Sequence, residues 1–225
     1  MKNLPKGSKK LLNAWAFYDW ANSVYSLVIA STVFPIFYAA LTLVKNEQGE
    51  IVSDRVQLLG FDFNNDSLIS YVTALAFLLV AFMSPFLSGI ADYVGNKKNF
   101  LKFFCYLGAL SCIGLFWFNL ENLWLGLTCY FLALVGFWAS LVFYNSYLPD
   151  IAFPEQQDKV SAKGFSMGYI GSVVLLILCL FMIMNYEMLG FEDAGFPTRL
   201  SFVLTGVWWI GFSQITYYYL SLIHI

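Results

Sequence analysis

Six stretches of about 20 mostly apolar residues, separated by short polar segments, constrain the fold of this chain more than any other feature. An α-helix needs about 20 such residues to cross the hydrocarbon core of a bilayer. The stretches lie at residues 14–43, 68–91, 103–120, 123–148, 164–185 and 200–220. They are apolar all round, whereas a strand of a membrane barrel alternates apolar and polar residues. We therefore predict an all-α membrane protein with six transmembrane helices.

The composition argues against a soluble domain of the same length. Of the 225 residues, 60% are hydrophobic and 12% are charged, against about 25% charged in soluble domains. A domain of this size still exposes about 30% of its unfolded surface, and so apolar a chain cannot cover that surface with polar groups. The lipid bilayer is the expected partner. The net charge of −2 implies no bulk attraction to nucleic acid.

The distribution of Lys and Arg predicts the orientation in the membrane. Most of the 12 basic residues lie before the first stretch and in the segments after the second and the fourth. The remaining segments hold only Lys45, Arg55 and Arg199. Because basic loops stay in the cytoplasm, we expect both ends of the chain to be cytoplasmic. The longest outside segment, residues 45–67, is polar and is expected to be turn and loop.

Asp19 is the only ionisable carboxylate in the body of the six stretches. A charge in hydrocarbon costs at least ~2.5 kcal/mol, so it usually marks a pathway or a partner. At helical spacing, Asn22, Ser23 and Ser26 share its face. Two interpretations are open. In the first, this face lines a cavity that binds substrate or a proton. In the second, Asp19 is solvated near the membrane surface or bonded to a neighbouring helix.

A second polar group ends the fourth stretch, before Pro149. It consists of Tyr144, Asn145, Ser146 and Tyr147. These side chains either face the first helix or contact interfacial water. Both groups supply our candidate cavity-lining residues, which are Asp19, Asn22, Ser26, Tyr144 and Asn145.

Four aromatic residues cluster where the first helix enters the membrane: Trp15, Phe17, Tyr18 and Trp20. Amphipathic rings favour the membrane–water interface. We expect these rings to lie there.

Small residues open the fifth stretch. Gly164 and Gly168 form a GxxxG pair, and Gly171 follows. Small residues let membrane helices approach closely, so we expect these glycines to pack against another helix.

Nothing in the sequence predicts an enzyme, a metal site or a cofactor. The cysteines lack CxxC spacing and lie inside apolar runs, which indicates packing rather than a disulfide. No histidine lies in the six stretches, so the sequence shows no histidine base that could activate a nucleophile there.

The segment GIADYVGNKK joins the second and third stretches. Its pattern, Asp92-x-x-Gly95-x-Lys97-Lys98 preceded by Gly89, resembles the signature loop between helices two and three of the major facilitator superfamily. Tyr93 and Asn96 stand where that family usually has basic residues. The resemblance implies that Asp92 interacts across two halves of a transporter and helps to lock one conformation, with Gly89, Gly95, Lys97 and Lys98 supporting the turn.

Three further segments resemble one branch of this superfamily, the fungal vacuolar amino-acid effluxers of autophagy and their bacterial relatives. They are YDWANSVYS, FYNSYLPDIA and DKVSAKGFSMGYIGS. The resemblance implies a twelve-helix transporter in which helices one and four line a central cavity. This chain corresponds to the amino-terminal six-helix bundle, with the carboxy-terminal half missing. We expect the ending LSLIHI to be a truncation and give its His224 no role.

The expected function is alternating-access transport of a small polar solute, with efflux of amino acids suggested by the family resemblance. The expected location is the bacterial plasma membrane. An alternative is a six-helix channel or an accessory membrane subunit. A channel filter would show paired loop motifs or rings of charge, and we identify none.

Overall fold

A computed structural model describes residues 4–93 and 97–221, apart from the side chains of residues 91 and 92. Six long helices account for most of this part of the chain. They are α1 (Lys9–Thr42), α2 (Asn65–Tyr93), α3 (Lys97–Gly114), α4 (Leu123–Ser146), α5 (Pro154–Met184) and α6 (Gly195–Leu220). A 3₁₀ turn, Leu115–Trp117, extends α3, and a one-turn helix, Leu148–Ile151, follows α4.

The all-α membrane class is confirmed. Five helices, α1 to α5, are long and apolar enough to cross a bilayer. The sixth, α6, is long enough, but Arg199, Gln214 and several Ser, Thr and Tyr residues lower its hydropathy. The chain is an integral membrane protein, as its long apolar helices indicate.

The observed helices extend beyond the apolar stretches at their polar ends. Helix α5 begins at Pro154, ten residues before residue 164, where its apolar stretch begins. Proline is favoured in the first turn of a helix because its missing N–H needs no partner there. The backbone N–H of Phe153 donates to Gln156 Oε1 at 3.1 Å and further caps this end. Hydropathy marks only the part of a helix that lies in hydrocarbon.

Helix α1 contacts three other helices of the bundle, α4, α5 and α6. It packs along α5 and α6, while α4 packs along α2 and α3, and α3 also contacts α6. Residues Tyr25–Val33 of α1 form a π-helical segment, so the helix changes its winding midway. The core between the helices is rich in aromatic rings, and Phe34 of α1 stacks on Tyr130 of α4 with 4.2 Å between ring centroids.

The closest approach of α3 and α4 is made by two glycines. A Cβ placed on Gly136 would lie 2.5 Å from the backbone nitrogen of Gly108. A Cβ on Gly108 would meet the ring of Trp209 from α6. The two backbones therefore touch at this crossing, and any side chain would force them apart.

The segment between α1 and α2 is more regular than the expected turn and loop. It contains two antiparallel hairpins, β1 (Val44–Lys45) with β2 (Ile51–Ser53) and β3 (Arg55–Leu58) with β4 (Phe61–Asn64). The strands have only two to four residues, too short for alternation to be a clear signal. The second hairpin turns through Leu59 and Gly60, both with positive φ, without the usual Asn-Gly or Asp-Gly pair.

The crossing of α3 and α4 is testable. We expect Gly136→Ala to lower the stability of the full-length protein by about 1–3 kcal/mol, because the added methyl group overlaps backbone atoms of α3. Gly211→Ala is the matched control, since that helical glycine has no atom within 4 Å of its virtual Cβ. Thermal unfolding in detergent measures both. An equal response of the two variants would contradict the close crossing.

Candidate functional site

Asp19 lies where three helices meet. Its carboxylate is 8% exposed, and its Oδ2 accepts a hydrogen bond of 2.9 Å from the hydroxyl of Tyr144 on α4. On the third side is Gly164 of α5, where a Cβ would overlap Oδ2 of Asp19. The carboxylate is therefore bonded to a neighbouring helix and is largely shielded from solvent. The two polar groups of the sequence meet at this contact.

Aromatic stacking holds Tyr144 in place. The Trp15 ring lies 4.2 Å from it at an interplanar angle of 11°, and the Trp15 indole N–H donates to the Tyr144 carbonyl at 3.0 Å. Tyr18 packs against Tyr144 as well, at 4.9 Å. Packing and hydrogen bonding together fix the rotamer of Tyr144 and hence the position of its hydroxyl.

The expectation of an interfacial aromatic cluster is wrong for two of its four residues. Trp15 and Tyr18 are buried in the bundle core. Phe17 and Trp20 are partly buried and pack against Phe212 of α6. The interface preference of Trp and Tyr is an average over positions, and here the rings on the inner face of α1 have stacking partners inside the protein.

The other polar residues of α1 continue the site toward the middle of the membrane. Asn22 is 1% exposed and its Nδ2 has no hydrogen-bond partner among the described residues. Ser23 Oγ donates to Asn22 Oδ1 at 3.3 Å, and Ser26 Oγ donates to the Ser23 carbonyl at 2.8 Å. Buried polar groups are rarely left without partners, so Asn22 offers an unused donor one turn from Asp19.

One candidate cavity residue is not brought to this site. Asn145 is exposed, although it is adjacent in sequence to the buried Tyr144. Successive residues of a helix point about 100° apart, so only one of the two can face α1. The sequence offered no way to choose between them.

The three glycines of α5 lie against α1. A Cβ on Gly168 would lie 2.5 Å from Ser23 Oγ, and one on Gly171 would lie 2.9 Å from the Trp20 carbonyl. Together with Gly164, they let the two backbones approach along two turns of helix. This close approach presses α5 onto the polar face of α1.

A second polar contact joins the basic loop to the end of α4. Lys97 Nζ forms an ion pair of 2.8 Å with Asp150 and donates to the Ser146 carbonyl at 3.2 Å. Lys98 donates to Ser221 at the end of α6. Asp150 was not among our candidate residues. The sequence offered one signal for Asp150: it is acidic and lies in a segment predicted to be on the same side of the membrane as Lys97 and Lys98.

The remaining loop residues are less defined. Gly89 has open space around it. The structure does not describe the side chain of Asp92. Gly95 and His224 also lie outside the described residues. The interaction across two halves that the resemblance implies for Asp92 therefore stays a prediction.

The comparison with known families shows which family the chain belongs to. The family model of the Atg22-like vacuole effluxers matches residues 7–156 and 154–224, nearly the whole chain. The chain belongs to this family. The predicted resemblance is thereby confirmed, and no solved structure matches the chain closely enough to compare.

Two curated proteins are similar to this chain over most of its length. An uncharacterised MFS-type transporter of Bacillus subtilis, YxiO, is 34% identical over 198 residues, which cover 88% of this chain and 43% of that protein. Autophagy-related protein 22 of Coccidioides immitis is 23% identical over 291 residues, covering 92% of this chain and 47% of that protein. The chain thus spans about half the length of the curated relatives it matches.

The hydrogen bond at Asp19 is open to a direct test. We expect Tyr144→Phe to destabilise the full-length protein by about 1–3 kcal/mol, because it leaves a buried carboxylate without its donor. Asn145→Ala changes the adjacent, exposed residue and is expected to shift stability by less than ~0.5 kcal/mol. Thermal unfolding in detergent compares them. A harmless Tyr144→Phe would mean that Asp19 has another partner in the protein.

Proposed function

We propose that this chain is the amino-terminal half of a secondary active transporter that moves a small polar solute by alternating access. The observation that carries the proposal is the buried Asp19–Tyr144 contact, which joins α1 to α4. A carboxylate kept inside a membrane bundle is costly unless it serves a partner or a pathway. The half-length match to transporter relatives supports the same interpretation.

In this proposal α6 is the sixth span. Its Ser and Thr side chains face the bundle, since Ser201, Thr205, Ser213 and Thr216 are all buried, whereas Gln214 is exposed. Thr216 Oγ1 donates to the Ala14 carbonyl of α1 at 2.7 Å, and Thr205 Oγ1 donates to the carbonyl of Ser201 within α6. The exposed residues include Val207, Ile215 and Tyr218. A helix that turns its hydroxyls inward can cross a bilayer despite modest overall hydropathy.

We further propose that both ends of this segment are cytoplasmic and that the membrane is the bacterial plasma membrane. The lysines support this orientation. Lys6, Lys97, Lys98 and Lys163 all belong to the end of the bundle where α1 begins. Basic residues accumulate on the cytoplasmic side of membrane proteins.

The proposed substrate class is amino acids, and the proposed site lies between α1, α4 and α5. A carboxylate such as Asp19 can pair with an ammonium group or take up a proton. The unpartnered amide of Asn22 can donate to a carboxylate of the solute. Both polar partners of a zwitterion would then come from one face of α1, with Tyr144 releasing Asp19 when the substrate binds.

The Lys97–Asp150 pair is proposed to stabilise one end state of the cycle. It ties the start of α3 to the segment after α4. An ion pair holds a conformation only as long as both partners keep their positions. Movement of α4, which carries Tyr144, would therefore be coupled to the end of the bundle where the basic loop lies.

Replacement of Asp19 tests the central site. We expect Asp19→Asn in the full-length protein to abolish or strongly slow the transport of its amino-acid substrate and to flatten its pH dependence, because the amide neither carries charge nor binds a proton. Asp66→Asn removes an exposed carboxylate at the start of α2 and should change neither property. Uptake and efflux of a panel of labelled amino acids by proteoliposomes gives both readouts. Unchanged transport with an unchanged pH profile would remove Asp19 from the mechanism.

The ion pair is tested by a charge exchange. We expect Lys97→Gln to destabilise the end state by about 1–3 kcal/mol. This lies between the values for exposed and fully buried ion pairs, because the side chains of Lys97 and Asp150 are 10% and 30% exposed. The double variant Lys97→Asp/Asp150→Lys should restore part of the loss. The readout is the transport rate together with the exposure of an engineered thiol in the cavity. Equal defects in the single and double variants would exclude a pairwise interaction.

A further inference from the structure

A groove of about 390 Å³ opens between α1, α5 and α6 at the end of the bundle where α1 begins. It lies away from the contact of Asp19 with α4, so the proposed transport site does not use it. Two of its lining residues, Lys10 and Lys163, are basic and exposed. No acidic side chain belongs to the described residues that line it. The groove is therefore a cationic site at the edge of the membrane.

Each helix contributes a stripe that is polar at the shallow end and apolar at the deep end. On α5, Lys163 is followed one turn deeper by Met167. On α6, which runs in the opposite direction, Ile215 is deep and Tyr219 is shallow. On α1 the stripe runs from Lys10 inward. The three helices thus produce one gradient, from the charged Lys10 and Lys163 and the polar Tyr219 to apolar side chains farther from this end of the bundle.

The α1 stripe completes this gradient and fixes one of the cations. Asn13 follows Lys10 by one turn, and Phe17 lies deeper by another. The Lys163 ammonium group donates to Asn13 Oδ1 at 2.7 Å, which holds it over the groove. An anion bound there would meet the positioned ammonium group of Lys163 and the exposed ammonium group of Lys10.

We propose that this groove binds the phosphate-bearing head group of an anionic phospholipid, with one acyl chain lying along its apolar floor. The gradient of the groove matches the gradient of such a lipid. Anionic lipids attract basic residues at the membrane surface, and Lys side chains there extend their charged ends into the head-group region. A free phosphate would use the lysines alone and would gain nothing from Phe17, Met167 and Ile215.

The opposite leaflet offers a built-in comparison. A groove of about 380 Å³ lies farther along the same three helices and is lined by residues such as Ile36, Leu180 and Thr198. It contains no charged residue among the described residues that line it. Acyl chains fit there, and the neighbouring cation, Arg199, lies over the ring of the lining residue Phe37 at 5.7 Å and is not itself part of the lining. The proposed recognition is therefore specific for the leaflet that holds the amino terminus.

The test compares two charge-matched variants of the full-length protein. Lys10→Gln/Lys163→Gln removes the cations of the groove. Lys9→Gln/Lys159→Gln removes two exposed lysines from the same two helices and the same end of the bundle, outside the groove. Native mass spectrometry measures the binding of phosphatidylglycerol, with phosphatidylcholine and inorganic phosphate as the other two probes.

We expect the groove variant to lose phosphatidylglycerol affinity by about 10- to 30-fold, as two lysines near an anionic head group imply, and the control variant to lose less than ~3-fold. Phosphatidylcholine should bind more weakly and equally to all variants. Lys10→Arg/Lys163→Arg should keep the affinity. It is the control for a loss of binding that comes from misfolding rather than from the loss of charge. Equal losses in the two Gln variants would overturn the site, and so would tight binding of inorganic phosphate at the same lysines.

Discussion

The need to accommodate a carboxylate inside a membrane bundle organises the centre of this protein. Asp19 has lost most contact with solvent, and its partner is the hydroxyl of Tyr144. Water is scarce at such depth, so an ionised group depends on the protein for its hydrogen bonds. The stacking of Trp15 on Tyr144 and the Trp15 hydrogen bond to the Tyr144 carbonyl are best understood as supports for that single donor.

Close packing of small residues complements this polar contact. Gly164, Gly168 and Gly171 bring α5 onto α1, and Gly108 and Gly136 bring α3 onto α4. Within lipid there is no hydrophobic drive between helices, so van der Waals contact over closely spaced backbones has to supply much of the association. The same glycines leave room for Asp19 and Ser23, which larger residues would displace. Packing and polar chemistry are therefore parts of one arrangement.

Charge is distributed unevenly between the two ends of the bundle. The end where α1 begins holds the Lys97–Asp150 pair and the groove with Lys10 and Lys163. The other end carries an uncharged groove and two short hairpins. The first end can thus both hold a conformation and bind an anionic lipid. A lipid in this groove would contact α1 just before Asp19 and α5 on both sides of Gly164, which links the groove to the proposed transport site.

The sequence by itself determined the class of protein, the location of its apolar segments and the family. Apolar length and the lysine distribution are local properties, and the motifs around Asp92 and Tyr144 can be read without a structure. Tertiary structure alone decided which polar groups meet. Tyr144 and Asn145 are adjacent polar residues, and the sequence does not show which of them faces α1. In the structure only Tyr144 faces Asp19. Asp150 became a candidate only because it pairs with Lys97, which is distant along the chain. Trp15 and Tyr18 were expected at the membrane interface but are buried in the core. The reason is that the rotation of each helix about its axis depends on how all the others pack, and hydropathy along one segment contains no information about that rotation.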